Sequence, residues 1–315
     1  MSDFYTDSAS TAVQIRVLTE EQLASWLPEQ SPTLRRWVDA CGFVAEPLQT
    51  CLVSNAEGGL QLVLLGIACA DDFWCFGNLP RVLPKGVYSI DNSDGFFTTE
   101  QYELALLAWG LGCYQFNAYV HREDFIGRVL HVESSVLQHL EPLVTSIYLA
   151  RDLINLPAAD MAPEHLAHAA KKVALESGAT ITVIKGEQLL KQNYPTIYAV
   201  GKGAEQEPRL IDFVWGAAEA PKVTLVGNGV CFDSGGLDLK PSAGMRQMKK
   251  DMGGAAHALA LARLIMLAKL PVRLRVLIPA VENAVDAKSY HPGDIIRTRG
   301  GFSVEVDNTD AEGRL

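Results

Sequence analysis

From residue 157 onward the chain alternates helical and extended stretches, and few layouts accommodate that. "MAPEHLAHAAKKVALESG" has helical periodicity, and "ATITVIKG" and "RLIDFVWG" read as strands. "KVTLVGNGVCFDSGG" reads as a short apolar strand running into a glycine-rich loop. The helix "GGAAHALALARLIMLAKL" follows, its small residues permitting close packing, and then the buried strand "VRLRVLIPAV". "GDIIRTRGGFSVEVDN" is expected to be a hairpin turning at Gly300 and Gly301. Such alternation favours an α/β layer fold whose sites lie at the carboxyl ends of strands.

At 315 residues the chain is long enough for two domains. Residues 1–132 read as a smaller, mixed α/β N-terminal domain. Thr19 and Thr98 each stand three residues before a Gln, the capping-box spacing. "TCLVS" and "LQLVLLGIA" flank "NAEGG" as a hairpin. His121, His131 and His139 have no obvious partners in the sequence. Residues 133–156 are expected to connect the domains through the helix "EPLVTSIYLARDLINL", ended by Pro157. Residues 157–315 form the larger α/β domain, a central mixed sheet flanked by helices.

The net charge of −10 and the absence of clustered Lys and Arg argue against duplex DNA or an anionic membrane as partner. No run of eighteen apolar residues occurs, and "MSDFYTDSAS" lacks the order of a signal peptide, so a cytoplasmic location is expected. The six cysteines form no CxxC pair or zinc spacing and read as free, mostly buried thiols.

The glycines around Asn228 do not make a dinucleotide fingerprint, because Phe232 occupies the third glycine place. Lys240 follows no glycine in a GK[ST] arrangement either. Metal chemistry fits better. Asp233 lies just past one strand, Asp251 just before a glycine-initiated helix, and Asp310 and Glu312 follow another strand two residues apart. In extended chain that spacing points both side chains the same way. Four converging carboxylates would repel one another or take up protons, and two divalent cations would cancel their charge. Oxygen ligation suits Mg²⁺ or Mn²⁺ and leaves Zn²⁺ open.

"FDSGGLDLKPSAGMRQMKKDMGGAA" and "NTDAEGRL" resemble the two signatures of the leucyl aminopeptidase family, the dinuclear metallo-exopeptidases called M17. "RDLINLPAADMAP" is similar to the stretch preceding the family's catalytic domain. The likeness is dense over residues 223–315, weaker over 151–163, and none is seen in residues 1–132. It implies an enzyme that releases N-terminal, leucine-like residues from peptides through a hydroxide bridging two Mn²⁺ or Zn²⁺ ions. By resemblance Asp233, Asp251, Asp310 and Glu312 are metal ligands, Lys240 polarises the scissile carbonyl, and Arg314 holds a bicarbonate that takes a proton from water. Met248 lines the pocket for the first side chain, and six subunits assemble.

Two departures stand out. Where the family pattern has a metal-ligating lysine, this chain has Asn228, whose amide oxygen is a weaker donor. The metal site depending on residue 228 is therefore expected to be weakened or altered in preference. Family members also continue past NTDAEGRL, so a chain closing at Leu315 is expected to be a fragment or a shortened member with an incomplete sheet. These departures keep a second reading in play: a non-catalytic derivative serving in binding or assembly. Setting the resemblance aside, a Mg²⁺-dependent phosphoryl hydrolase using Lys240 and Arg314 would be the next enzyme class.

Overall fold

The computed structural model describes residues 3–8, 12–120 and 127–315. They form two compact units, Met1–Val144 and Thr145–Leu315. His121 lies outside the described residues.

In the first unit six strands form one sheet: β1 (Tyr5–Thr6), β2 (Val13–Leu18), β3 (Thr50–Ser54), β4 (Leu60–Gly66), β5 (Gly86–Asp91) and β6 (Arg128–His131), in the order β1-β6-β5-β2-β4-β3. All pairs are parallel except the expected β3–β4 hairpin. Both capping boxes are present: the Thr19 and Thr98 hydroxyls accept from the backbone of Gln22 and Gln101, whose side chains reach back. The helix Thr99–Gly112 buries Ala105, Leu106 and Trp109.

The connecting helix runs from Ser134 to Asn155, straight through Pro142. A proline inside a helix costs about 3 kcal/mol, through a lost N–H donor and a clash with the preceding turn. Burial on both sides of it offsets that cost: Leu137, Leu140 and Val144 are buried in the first unit, and Ala150 and Leu153 join the core of the second.

The second unit is built around β11 (Arg273–Asn283), an eleven-residue strand. On one side β11 pairs antiparallel with β8 (Arg209–Trp215), and β8 with β7 (Thr180–Lys185). On its other side lie β9 (Lys222–Val226) and then β10 (Gly229–Asp233), both parallel. The helices Pro163–Glu176 and Gly253–Leu267 contribute Leu166, Ala170, Ala256 and Leu259 to the core beside Val276 and Ile278. The hairpin turning at Gly300 and Gly301 is present as β12 (Ile295–Arg297) and β13 (Ser303–Glu305).

The glycines at 227 and 229 do not open a loop, as their spacing suggests. Gly227 and Asn228 bridge β9 and β10 in step along β11, and the Gly227 N–H donates to the Leu277 carbonyl at 3.0 Å. The glycines' role is close approach. The Ala255 N–H donates to the Asn228 carbonyl at 2.7 Å, and a Cβ on Gly227 would come within 2.7 Å of Ala255 Cα and 2.8 Å of the Gly254 carbonyl oxygen. Backbone cannot give way cheaply, so Gly227→Ala is expected to cost about 1–3 kcal/mol by overpacking. Urea denaturation of the two chains checks this; an unchanged midpoint would mean that helix and strand separate freely.

Candidate metal centre

Three carboxylates from two distant stretches meet at the end of β10. One oxygen each from Asp233, Asp310 and Glu312 lies within 4.8 Å of the others. Asp233 is the last residue of β10, and Asn283, the last of β11, is its partner in register. The pairing slips between Val230 and Asp233, an irregularity that re-aims the strand end.

The loop after Asp233 turns through Gly235 (φ +86°) and Gly236 (φ +65°), left-handed positions that favour glycine. The Gly235 N–H donates to Asp233 Oδ1 at 2.8 Å, and the Lys240 N–H to the Ser234 carbonyl at 2.9 Å. The loop is thereby folded back until the Lys240 ammonium lies 2.8 Å from Asp233 Oδ2 and pairs with Asp310 as well.

Asp310 and Glu312 do not extend from a strand as expected. They sit in a 3₁₀ turn, Thr309–Arg314, loosened at Asp310 and Ala311. Convergence comes instead from Thr309, fully buried, whose hydroxyl lies 2.7 Å from the Gly235 carbonyl oxygen and whose N–H donates to Asp238 at 2.7 Å. The Tyr290 hydroxyl donates to the Thr309 carbonyl at 2.7 Å, and Asn308 caps the turn by accepting from the Asp310 N–H. Sequence reasoning passed over Thr309, Asp238, Tyr290 and Asn283. Only Asp238 and Thr309 carried a signal, by lying within the two signatures.

The electrostatics are those of crowded acids. Burial first, then Asp233 and Asp251, push Glu312 up to about 7, outweighing a backbone hydrogen bond that works the other way. Asp251 is also raised, by burial and then by Asp233, and its Oδ2 is buried with no hydrogen-bond partner. Asp251 stands outside the group of three oxygens. Burial would raise Asp233 too, but Lys240, the Gly235 N–H and Asn283 hold it below the usual range. Burial opposes the charge on Lys240, and its two carboxylates outweigh that, leaving its pKa raised.

Asn228 turns its Oδ1 to the Val230 N–H at 2.9 Å. Met248 is half-buried in the short turn before Asp251, and Arg314 is exposed two residues past Glu312. His257 and His291 are exposed, with His257 Nδ1 2.7 Å from the Gly253 carbonyl oxygen, and Cys231 is buried. Of the six free cysteines Cys51, Cys75 and Cys231 are buried, while Cys41 and Cys69 are exposed.

Oxygen donors brought together from two loops, one raised to about 7 and a neighbour with an orphaned buried oxygen, fit a hard or borderline divalent cation. Known proteins agree. Residues 148–315 match the model of the cytosol aminopeptidase family, catalytic domain, and residues 13–130 that of the M17 aminopeptidase N-terminal domain, where the sequence alone showed no likeness. A probable cytosol aminopeptidase of Syntrophotalea carbinolica is 45% identical over 171 residues, 54% of this chain and 34% of the relative. The matched stretch thus spans about a third of that relative's length. The crystal structure of cytosol aminopeptidase from Coxiella burnetii superposes with a TM-score of 0.95 at 48% identity, covering 99% of this chain and 68% of that one. The bottromycin maturation enzyme BotP in complex with Mn gives 0.82 at 28% identity, covering 96% and 66%.

Proposed function

Since the chain belongs to the cytosol aminopeptidase family, M17, we propose that it carries the catalytic centre of a metal-dependent aminopeptidase removing leucine-like N-terminal residues from peptides. The observation carrying this reading is the meeting of Asp233, Asp310 and Glu312 within 4.8 Å beside a paired lysine. Those three and Asp251 would hold two divalent ions, Mn²⁺ or Zn²⁺ with Mg²⁺ as a third candidate. Asn228 contributes at most an amide oxygen. Ions bound there would acidify water and draw charge from the scissile carbonyl.

The protein's own groups do the rest. Asp233 and Asp310 favour the charged form of Lys240 in the metal-free chain, and an ammonium at that place suits donation to the carbonyl oxygen of a bound peptide. The exposed Arg314 guanidinium suits a bicarbonate, which would take the proton from attacking water. Met248, half-buried beside Asp251, offers an adaptable apolar wall to the first side chain. The relatives' name, cytosol aminopeptidase, supports a cytoplasmic setting. Assembly of six subunits is carried over from the family resemblance.

The test is hydrolysis of leucine p-nitroanilide with added Mn²⁺, abolished by a chelator; phosphatase turnover alone would overturn the reading. One observation favours the non-catalytic alternative: Asn228 spends its oxygen on the Val230 N–H. Asn228→Lys is therefore expected to tighten the weaker of two metal sites and raise turnover at least tenfold. Two equally tight Mn²⁺ sites in calorimetry of the unaltered chain would refute the weakening.

A further inference from the structure

Resting on the metal-centre reading, we infer that Asn283 is a positioning residue that fixes the Asp233 and Glu312 carboxylates for metal binding. It is fully buried at the end of β11 and faces Asp233 in register. Its amide nitrogen donates to Asp233 Oδ1 at 2.8 Å and to the Thr309 carbonyl at 3.0 Å, and lies 3.4 Å from Glu312 Oε2. One NH₂ group thus touches both acid-bearing stretches, the end of β10 and the Thr309 turn.

The other end of the side chain shows that the nitrogen is what matters. Asn283 Oδ1 is buried with no hydrogen-bond partner, and the Gly236 backbone crowds it so closely that a Cβ there would come within 2.9 Å. An amide oxygen left unpaired in the interior is costly, and an apolar side chain of similar volume would remove that cost. Keeping the amide makes sense if its two N–H groups do something that no apolar group could. Exchanging the amide ends would turn a lone pair toward Asp233, so the charge around Asn283 also fixes which end points where. The backbone supports the placement: the Ser234 hydroxyl and N–H both donate to the Asn283 carbonyl, at 2.7 Å and 3.2 Å.

Asp233 and Glu312 would otherwise repel each other and turn apart. Held by a neutral donor, they keep their remaining lone pairs free for a cation, as the hydrogen-bonding partners of carboxylate ligands do in metal sites generally.

Mn²⁺ calorimetry on the full chain, with melting of the metal-free protein alongside, tests this using Asn283→Asp and Asn283→Leu. The first replaces the donor with a charge; the second removes the donor and the orphaned oxygen together. Both are expected to bind Mn²⁺ at least tenfold more weakly while still melting cooperatively. Affinity within threefold of the unaltered chain in either folded variant overturns the inference and leaves the metal centre standing. Loss of cooperative melting in both assigns Asn283 to the fold alone and also overturns it. If the unaltered chain itself takes up no Mn²⁺, the metal-centre reading falls first and the inference with it.

Discussion

Replacing Lys240 with methionine is expected to lower the melting temperature of the metal-free chain by roughly 6–12 °C, and saturating Mn²⁺ is expected to restore most of the loss. The Lys240 side chain is 15% exposed and bridges Asp233, 4% exposed, to Asp310. Removing one partner from a buried ion pair costs about 3 kcal/mol or more, because the remaining charge keeps its desolvation penalty and loses its counter-charge. For a unit the size of Thr145–Leu315, each kcal/mol lowers melting by roughly 2–4 °C. The rescue carries the sharper information. If the carboxylates are metal ligands, cations supply the charge that Lys240 provides in their absence, and the variant becomes stable but inactive. A variant that Mn²⁺ leaves just as unstable would show that these carboxylates do not bind it.

Affinity for Mn²⁺ should rise on the order of a hundredfold between pH 5 and pH 7 and level off above that. Glu312, at about 7, must lose its proton before it can ligate, and Asp251, also raised, adds to the slope. The metal-free chain should show the opposite trend in stability. The folded state keeps a proton on Glu312 that the unfolded state releases near its ordinary value of 4.5. Stability therefore falls as pH rises from about 4.5 to 7, by about 3 kcal/mol for this group. Asp233 runs the other way: its lowered pKa gives stability above the ordinary carboxylate range that is lost as pH falls. Calorimetry across the pH range, paired with melting curves of metal-free protein, measures both. Flat Mn²⁺ affinity from pH 5 to 8 would mean that Glu312 is already ionised when the ion arrives.

Much of this was legible from local signals. The two capping boxes, the β3–β4 hairpin and the Gly300 turn each depend on neighbours a few residues apart, so pattern alone locates them. The acidic ligand candidates were legible from their spacing and from the two signatures that carry them. What escaped depends on distant contacts. Asp310 and Glu312 read as extended, because their 3₁₀ turn is held by Thr309, bonded to residues some seventy positions away. Asn283 carried no signal, two residues past the predicted strand. Its partner Asp233 lies fifty positions upstream, and only the parallel pairing of β10 with β11 makes them neighbours.

From Lys222 facing Arg273 to Val230 facing Val281 the strands march in step, and then one extra residue intervenes, so that Asp233 and not Phe232 comes opposite Asn283. A single codon thus decides whether an aromatic ring or an acid meets that amide. Point changes at Cys231 or Phe232 should be survivable while a deletion there is not, since the arithmetic of the backbone, more than the identity of either side chain, guards the chemistry.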